Sequence, residues 1–248
     1  MDAPLPRRDP LRAGVTVPGL ALAAAGSSIL GFLIGSPWLL PILNAAPAFA
    51  VMVLCLKLGR RATAVWLMIW WAACLGAAAT LLCAADPWGT ASRAVLHGPP
   101  YLAEMRTWTE TGAGCESSPG CFVPRHLLSL GLFAALALAT ASAAAMTMGA
   151  ILMNYMSYYV GSIAATAVSP VQTILLGWHP WSLVRIVSFV TLGVVLAEPL
   201  VARVTRSPAL ARRGVWVAWA MAGIVLDMIL KTILAPHWAA LLRAAVGG

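Results

Sequence analysis

The chain has 248 residues, of which 61% are hydrophobic and 10% charged, and its formal net charge is +8. Soluble domains contain about 25% charged residues, so a water-soluble fold of this length could not hide so much apolar surface. The basic residues stand in short groups between apolar runs, which is typical of membrane topology signals and not of a nucleic-acid surface. We therefore expect an integral membrane protein whose main partner is the lipid bilayer and which binds no nucleic acid.

The chain begins with an apolar stretch that carries no charged residue between Arg12 and Lys57. As a single helix, these residues would extend about 66 Å, twice the thickness of the hydrocarbon core of about 30 Å. Two helices joined by a turn near residues 35–37 fit this length, and so does one helix followed by a re-entrant segment. Basic residues flank both ends of the stretch, so the positive-inside rule places both ends in the cytoplasm. The flanking residues are Arg7, Arg8, Arg12, Lys57, Arg60 and Arg61.

A third span is predicted over residues 63–84, followed by a polar segment over residues 86–125. We expect this segment to be an outer loop that folds into a small cap, because unstructured loops of this length are uncommon in compact proteins. It contains Cys115 and Cys121, and outside the cytoplasm two cysteines so close in sequence predict a disulfide bond.

The next 59 residues, from 126 to 184, contain no Lys, Arg, Asp or Glu. They predict two spans, one beginning near His126 and one ending near Gly177, joined by a short inner turn. The pattern leaves two positions open for that turn, near Thr147 or near Asn154.

A row of small residues at four-residue spacing follows within this uncharged region, and it consists of Ser157, Gly161, Ala165 and Ser169. On a helix these residues share one face, which allows another helix to approach closely. Pro170 would then free a backbone carbonyl in the middle of the helix, as in many solute paths. Residues 178–181 predict an outer turn that joins this helix to a packed neighbour.

The last two spans are predicted over residues 181–202 and 215–234, and a basic segment over residues 203–213 lies between them. Pro236 and His237 would begin a short outer tail. The resulting fold is all-α: a polytopic transmembrane helix bundle of about seven spans in one domain, residues 1–248. Its N-terminus lies inside and its C-terminus outside. Usage rich in Ala, Gly and Arg favours a bacterial inner membrane.

Ionisable residues within spans are candidates for function, because lipid makes them costly by roughly 2.5–3.5 kcal/mol. Three stand out: Glu198 in the sixth span, and Asp227 and Lys231 in the seventh. Asp227 and Lys231 are four residues apart and could neutralise each other, and Glu198 could pair with Arg203 or another arginine nearby. Alternatively, the three residues line a substrate path, to which Asn154 and Gln172 would contribute as polar residues.

The spacing of Asp227 and Lys231 in the last of seven helices resembles the retinal-binding helix of microbial rhodopsins. The resemblance implies a lysine that forms a Schiff base with retinal and an aspartate that balances its charge. It covers only residues 226–231, and the third span lacks the arginine-tyrosine-x-aspartate-tryptophan stretch of that family. We therefore do not carry the cofactor over, and the sequence leaves any cofactor unknown.

The histidines form a second pattern, because all four fall on the predicted outer side. His126, His179 and His237 each stand at a predicted helix end, where they could converge as acid and base or as metal ligands. The alternative is a row of interfacial side chains beside tryptophans at the headgroup level. No spacing typical of a histidine metal site is present, and we predict no metal.

Three functions remain open. A small-solute transporter or permease that uses the polar residues of spans six and seven is ranked first. A membrane enzyme acting at the outer face on a lipid or quinone-like substrate is the alternative, followed by a non-catalytic subunit or assembly factor of a membrane complex. No Walker loop, G-x-S-x-G, dinucleotide fingerprint or C-x-x-C is present, which argues against ATP hydrolysis and thiol redox chemistry. A second copy of the chain or a membrane-complex subunit are further expected partners.

Overall fold

The computed structural model describes residues 13–207 and 210–247, where the chain forms ten α-helices, one 3₁₀ turn and no strand. Arg7, Arg8 and Arg12 lie outside the described residues. The helices are α1 Ala13–Ile34, α2 Leu39–Lys57, α3 Arg61–Ala85, α4 Ala91–Ala94, α5 Gly98–Thr111, α6 Pro119–Ala139, α7 Ala143–Ala164, α8 Pro170–Gly177, α9 Pro180–Thr205 and α10 Arg213–Val246. The 3₁₀ turn is formed by Cys115–Ser117.

Six of the described helices are long and apolar enough to cross a membrane, namely α1, α2, α3, α6, α9 and α10. The seventh long helix is α7, which has 22 residues and no charge but contains Asn154, Ser157 and three tyrosines. Its polar character fits its position, because α7 lies inside the bundle against α2 and α3. The protein is thus an all-α, multi-pass membrane bundle of about seven spans.

The first apolar stretch forms two full helices, which settles the alternative of a re-entrant segment. The chain turns at Gly35, whose φ of +67° is readily adopted only by glycine, and Gly35 N donates a hydrogen bond to the Gly31 carbonyl. On the other side of the turn, Leu40 packs so closely against Gly31 that a Cβ atom there would lie 2.4 Å from Leu40 Cδ1 and 3.1 Å from its Cα, so Leu40 would have to shift. α1 and α2 therefore form a tight antiparallel pair.

The turn between α6 and α7 lies at residues 140–142, so both predicted positions, near Thr147 and near Asn154, are wrong. Ala141 and Ser142 take positive φ angles of 48° and 70°, which residues other than glycine adopt at a cost. The Ser142 hydroxyl donates a 2.7 Å hydrogen bond to the Gly193 carbonyl of α9, and this contact stabilises the turn.

The small residues of α7 do allow a close helix contact, but with α3 and over a shorter stretch than predicted. A Cβ atom on Gly161 would lie 2.6 Å from the Thr80 carbonyl oxygen of α3. α7 ends at Ala164, so Ala165 and Ser169 are not on it. Nor do α7 and α9 form the expected packed pair, because α9 packs mainly against α10 and α7 mainly against α3.

Pro170 is the first residue of α8 and not a mid-helix residue. A proline is well tolerated there, since the first amide of a helix has no intrahelical partner. The preceding residues are held by the end of α10, where Val168 N and Ser169 N donate to the carbonyls of Val246 and Ala245. The predicted fifth span that ends near Gly177 is therefore two helices.

Residues 86–118 fold into a small cap over one end of the bundle, which we call the cap end. The predicted loop ran to residue 125, but its last seven residues belong to α6. α5 anchors the cap by burying Met105 and Trp108 completely. The Cys115 and Cys121 sulfurs are bonded, as predicted. The opposite end carries the basic segments around residues 57–61 and 203–213, and we call it the arginine end.

The last helix, α10, continues through Pro236 and His237 to Val246, where a short tail was predicted. Its 34 residues extend about 51 Å, more than the hydrocarbon core of about 30 Å. Near its end, Arg243 Nε donates to the Thr109 carbonyl of α5 at 2.9 Å. α10 therefore runs from the arginine end into contact with the cap.

Candidate functional site

A cavity of about 300 Å³ lies between α2, α3, α6, α7, α9 and α10, directly beneath the cap. This volume is at the lower end of the range of about 300–1,000 Å³ for small-molecule sites. Its lining changes character with depth. Towards the cap it is polar and charged: His97, Tyr101, Glu104, Glu116, Arg125, His126, Tyr155, Arg185 and Lys231. Deeper in the bundle it is apolar: Met52, Met68, Trp71, Phe133, Met146, Met153, Phe189, Val190 and Val194.

The apolar part extends far towards the arginine end. Arg185 and Val194 are nine positions apart on α9, and Tyr155 and Met146 are nine positions apart on α7, which corresponds to about 14 Å along each helix. This length is about half of a hydrocarbon core of about 30 Å. The cavity thus has a charged end near the cap and an apolar slot that reaches the middle of the membrane.

At the charged end of the cavity, Arg185 of α9 forms a bidentate ion pair with Asp227 of α10. Arg185 Nε lies 2.9 Å from Asp227 Oδ2, and Nη2 lies 3.0 Å from Oδ1. The Asp227 side chain is completely buried, while 27% of the Arg185 side chain is exposed. Both residues stand on long helices, so the pair is part of the rigid framework.

The second ion pair joins the cap to the bundle. Lys231 Nζ lies 2.8 Å from Glu116 Oε2 and 4.6 Å from the centre of the Phe122 ring. The Lys231 side chain is 1% exposed, and Glu116 follows Cys115 in the 3₁₀ turn of the cap. We use the term ionic cluster for Glu116, His126, Arg185, Asp227 and Lys231.

The charges around Glu116 keep it ionised. Burial alone would raise its pKa, but the charge of Lys231 first, and then that of Arg185, hold the pKa below its ordinary value. Tyr101 in the same wall responds in the opposite sense, since burial and then the charge of Glu116 raise its pKa well above the usual value. Glu116 is therefore a carboxylate and Tyr101 a neutral hydroxyl.

His126 is the one of the three candidate histidines that lines the cavity. Its Nδ1 lies 2.8 Å from the Phe122 carbonyl, which can only accept, so Nδ1 carries a proton. Its Nε2 lies 3.5 Å from Asp227 Oδ2. The ring is thus held at Nδ1, while Nε2 is buried beside the ion pair of Arg185 and Asp227 and has no hydrogen-bond partner among the described residues.

The other two candidate histidines lie elsewhere. His179 is buried before α9, where its ring stacks on Trp181 with centroids 4.6 Å apart. Burial lowers the pKa of His179 to about 3, with Lys231 and Arg185 adding to the shift, so the ring is neutral. His237 is exposed on the surface of α10. His237 therefore does not join His126, and His179 is not among the residues that line the cavity.

Glu198 lies at the arginine end, away from the ionic cluster. Arg61 of α3 binds both of its carboxylate oxygens, with Nη2 2.6 Å from Oε2, and both side chains are 7% exposed. Arg61 also donates to the carbonyls of Leu210 and Ala211. Glu198 does pair with an arginine, but that arginine is on another helix and is not Arg203.

The remaining predicted path residues do not line the cavity. Asn154 Oδ1 accepts a 3.1 Å hydrogen bond from Asn44 Nδ2, which joins α7 to α2 inside the bundle. Gln172 is exposed on α8. Among the described residues, no group of three or more His, Cys, Asp or Glu side chains is placed to hold a metal ion.

Two residues of the ionic cluster were missed in the sequence. Arg185 stands five residues into α9 and met the same criterion, an ionisable residue within a span, that singled out Glu198. Glu116 carried no such signal, because a glutamate in a polar loop is ordinary. Only the folding of the cap over α10 brings it to Lys231.

No family model matches the chain, and neither a curated protein nor a solved structure is similar enough to count as a match. The function must therefore be argued from the cavity itself.

Proposed function

We propose that the protein binds a lipid-like amphiphile at the outer face of the membrane. The headgroup lies at the ionic cluster beneath the cap, and the apolar chain lies in the slot between Met68 and Met146. The observation that carries this proposal is the single cavity wall that is charged at one end and apolar over about 14 Å at the other. A hydrated ion or sugar would lose its water in the apolar part without gaining polar partners.

The depth of the ionic cluster supports the same assignment. Lys231 is 18 residues, or about 27 Å, from the start of α10 at Arg213. With Arg213 near the inner boundary of a hydrocarbon core of about 30 Å, Lys231 lies close to the opposite boundary. At that boundary the headgroup of a membrane amphiphile meets its chain. An amphiphile bound in the cavity would therefore lie at the same depth in the bilayer as in the outer leaflet.

This function agrees in place and ligand with one hypothesis from the sequence, a site at the outer face for a lipid or quinone-like molecule. The competing hypothesis from the sequence is the solute permease. The permease needs polar groups along the whole path, whereas the cavity wall from Phe189 to Val194 and from Met146 to Met153 is largely apolar. If a bound amphiphile is chemically changed, His126 is a cavity-lining side chain that can give or take a proton beside its headgroup.

Two glycines allow a matched test. Gly149 of α7 lines the cavity, and a Cβ atom there would meet nothing within 4 Å. Gly131 of α6 is equally free of neighbours, but it is exposed on the outside of the bundle. Gly149→Phe therefore fills the slot, whereas Gly131→Phe adds the same ring on the lipid-facing surface.

The probe is a saturated fatty acid that carries a diazirine in its chain, photo-crosslinked to the full-length protein in nanodiscs and mapped by peptide mass spectrometry. We expect labels on the peptides that contain Trp71 and Met146, loss of these labels in Gly149→Phe, and retention in Gly131→Phe. Labels confined to lipid-facing residues such as Leu128, unchanged by Gly149→Phe, would contradict the proposal and return the permease hypothesis to first place.

A further inference from the structure

We propose that Lys231 and Arg185 form a site for the acidic headgroup of this amphiphile, a phosphate or a carboxylate, and that Glu116 occupies the site until the headgroup displaces it. This inference rests on the proposed amphiphile function and deepens it by giving the chemical class of the head. The ion pair of Lys231 and Glu116 is then an internal substitute for the ligand.

The two acidic residues of the cluster differ in how firmly they are held. Asp227 stands on α10, makes two hydrogen bonds with Arg185 and is completely buried. Glu116 makes its ion pair with Lys231 from a short turn of the cap, and 17% of its side chain is exposed. Asp227 therefore belongs to the framework, and Glu116 is the carboxylate that can rotate away.

The site has capacity for more acceptors than Glu116 supplies. An ammonium group has three N–H donors, and Lys231 uses one for Glu116 while its charge faces the Phe122 ring. Arg185 is also accessible, since it lines the cavity with 27% of its side chain exposed. A phosphate or carboxylate between the two cations would accept from both.

The charge count explains why an anion must replace Glu116 and not simply join it. Arg185 and Lys231 balance the carboxylates of Asp227 and Glu116, so the two ion pairs together have no net charge. Removal of Glu116 leaves one buried positive charge in a low-dielectric site, which strongly disfavours any state without a counter-ion. An acidic head restores the balance, whereas an uncharged head does not.

The cap can stay in place while this exchange occurs. Trp108 Nε1 donates a 2.8 Å hydrogen bond to Ser117 Oγ, and the disulfide bond of Cys115 and Cys121 closes the turn. These contacts hold the backbone beside Glu116. Because Glu116 itself lines the cavity, rotation of its side chain is enough to vacate Lys231.

The test compares three probes on the full-length protein in phosphatidylcholine nanodiscs: lysophosphatidate, monoacylglycerol with the same chain, and inorganic phosphate. Native mass spectrometry gives the bound fraction. We expect lysophosphatidate to bind at least about tenfold more tightly than monoacylglycerol, since a charge-assisted hydrogen bond contributes about this factor. Glu116→Gln should tighten lysophosphatidate about tenfold further and leave monoacylglycerol unchanged.

Lys231→Met should abolish the preference for the acidic head. Because that variant leaves Glu116 without its cation and can misfold, the double variant Glu116→Gln/Lys231→Met removes both charges and should bind the two amphiphiles equally. The matched control is Arg106→Gln, which removes an exposed cation of α5 that does not line the cavity and should change neither affinity.

The outcomes separate this inference from the function on which it rests. Equal binding of both amphiphiles, unaffected by Glu116→Gln but lost in Gly149→Phe, overturns the anion site and leaves the amphiphile function standing. Binding of neither amphiphile overturns the amphiphile function. Tight binding of inorganic phosphate alone that depends on Lys231 supports the anion site and shows that its source is a free anion.

Discussion

Asp227 and Lys231 lie four residues apart on α10, yet each forms its ion pair with a different segment of the chain. Asp227 binds Arg185 of α9, and Lys231 binds Glu116 of the cap. One helix face thus connects a framework pair to a cap pair within one turn.

The pair of Glu116 and Lys231 should appear as strong coupling in a double-mutant cycle. Lys231→Met or Glu116→Gln alone leaves one charge buried without its partner, which costs about 3–5 kcal/mol of unfolding free energy. The double variant should recover most of that loss. Reversible denaturation in mixed micelles measures all four proteins.

The exposed pair of Arg125 and Glu104 is the control for that cycle, because its side chains are 63% and 37% exposed. Water screens such a pair, so Arg125→Gln should have little effect on stability. Additive losses for Glu116 and Lys231 would contradict a direct ion pair between them.

Arg61 should hold the chain that follows α9 in place at the arginine end. Its guanidinium binds Glu198 and also donates to the Leu210 and Ala211 carbonyls, so Arg61→Met releases its hydrogen bonds to three residues at once. We expect faster trypsin cleavage after Arg212 and a loss of stability of about 3–5 kcal/mol. Lys57→Met removes an exposed cation at the same end of the bundle, and trypsin should cleave this variant after Arg212 at the wild-type rate. Equal cleavage of both variants would refute the role of Arg61.

His179 should make the protein less stable as the pH falls from about 6.5 towards 3. Its pKa in the folded state is about 3 and its ordinary value is 6.5, so between these values the unfolded chain binds the proton and the folded chain does not. Stability is therefore complete above pH 6.5 and decreases by up to about 1.4 kcal/mol for each pH unit below it. His179→Phe keeps a ring to stack on Trp181 and should remove this part of the pH dependence.

The pH profile also distinguishes His179 from Glu116. The pKa of Glu116 lies below its ordinary value of 4.5, so its contribution is lost only as the pH falls through that lower folded value. An identical pH dependence between 6.5 and 5 in the wild type and in His179→Phe would contradict the assignment to His179.

The disulfide bond of Cys115 and Cys121 should stabilise the cap and report which side of the membrane it faces. A loop this short contributes about 2 kcal/mol in the chain-entropy model, so reductant should lower the melting temperature of the wild type. Cys115→Ser/Cys121→Ser should not respond to reductant. In intact cells treated with reductant, an impermeant maleimide should label these two cysteines, because the positive-inside rule places the cap outside. Labelling only after permeabilisation would reverse the orientation.

Much of the bundle could be predicted from the sequence because apolar length and arginine position are strong signals. The uncharged stretch before Lys57 was too long for one span, and Gly35 and Pro37 marked a turn, although a re-entrant segment after that turn fitted the sequence as well as a second helix. The turn at Ala141 and Ser142 had no such marker. It lies in an alanine-rich run, and the Ser142 contact with Gly193 that stabilises it is a tertiary one.

The site could be predicted only in part, for the same reason. Asp227 and Lys231 were found because a charge in a span is conspicuous, but their spacing favoured a pair within one helix. Their actual partners, Arg185 and Glu116, come from 42 and 115 residues earlier in the chain, and no local pattern connects them. His179 and His237 were predicted to lie on the same side of the membrane as His126. Being on one side of the membrane does not place side chains in contact, because that side includes the whole outer surface of the bundle.

The central claim is that an amphiphile lies in the cavity with its head at Lys231 and its chain towards Met146. The most direct measurement is an electron cryo-microscopy map of the protein in nanodiscs made from its native membrane lipids. We predict continuous elongated density from the ionic cluster down between Trp71 and Val194, absent in Gly149→Phe. A cavity that contains only separate water peaks, or none, with identical maps for the two proteins, would contradict the claim.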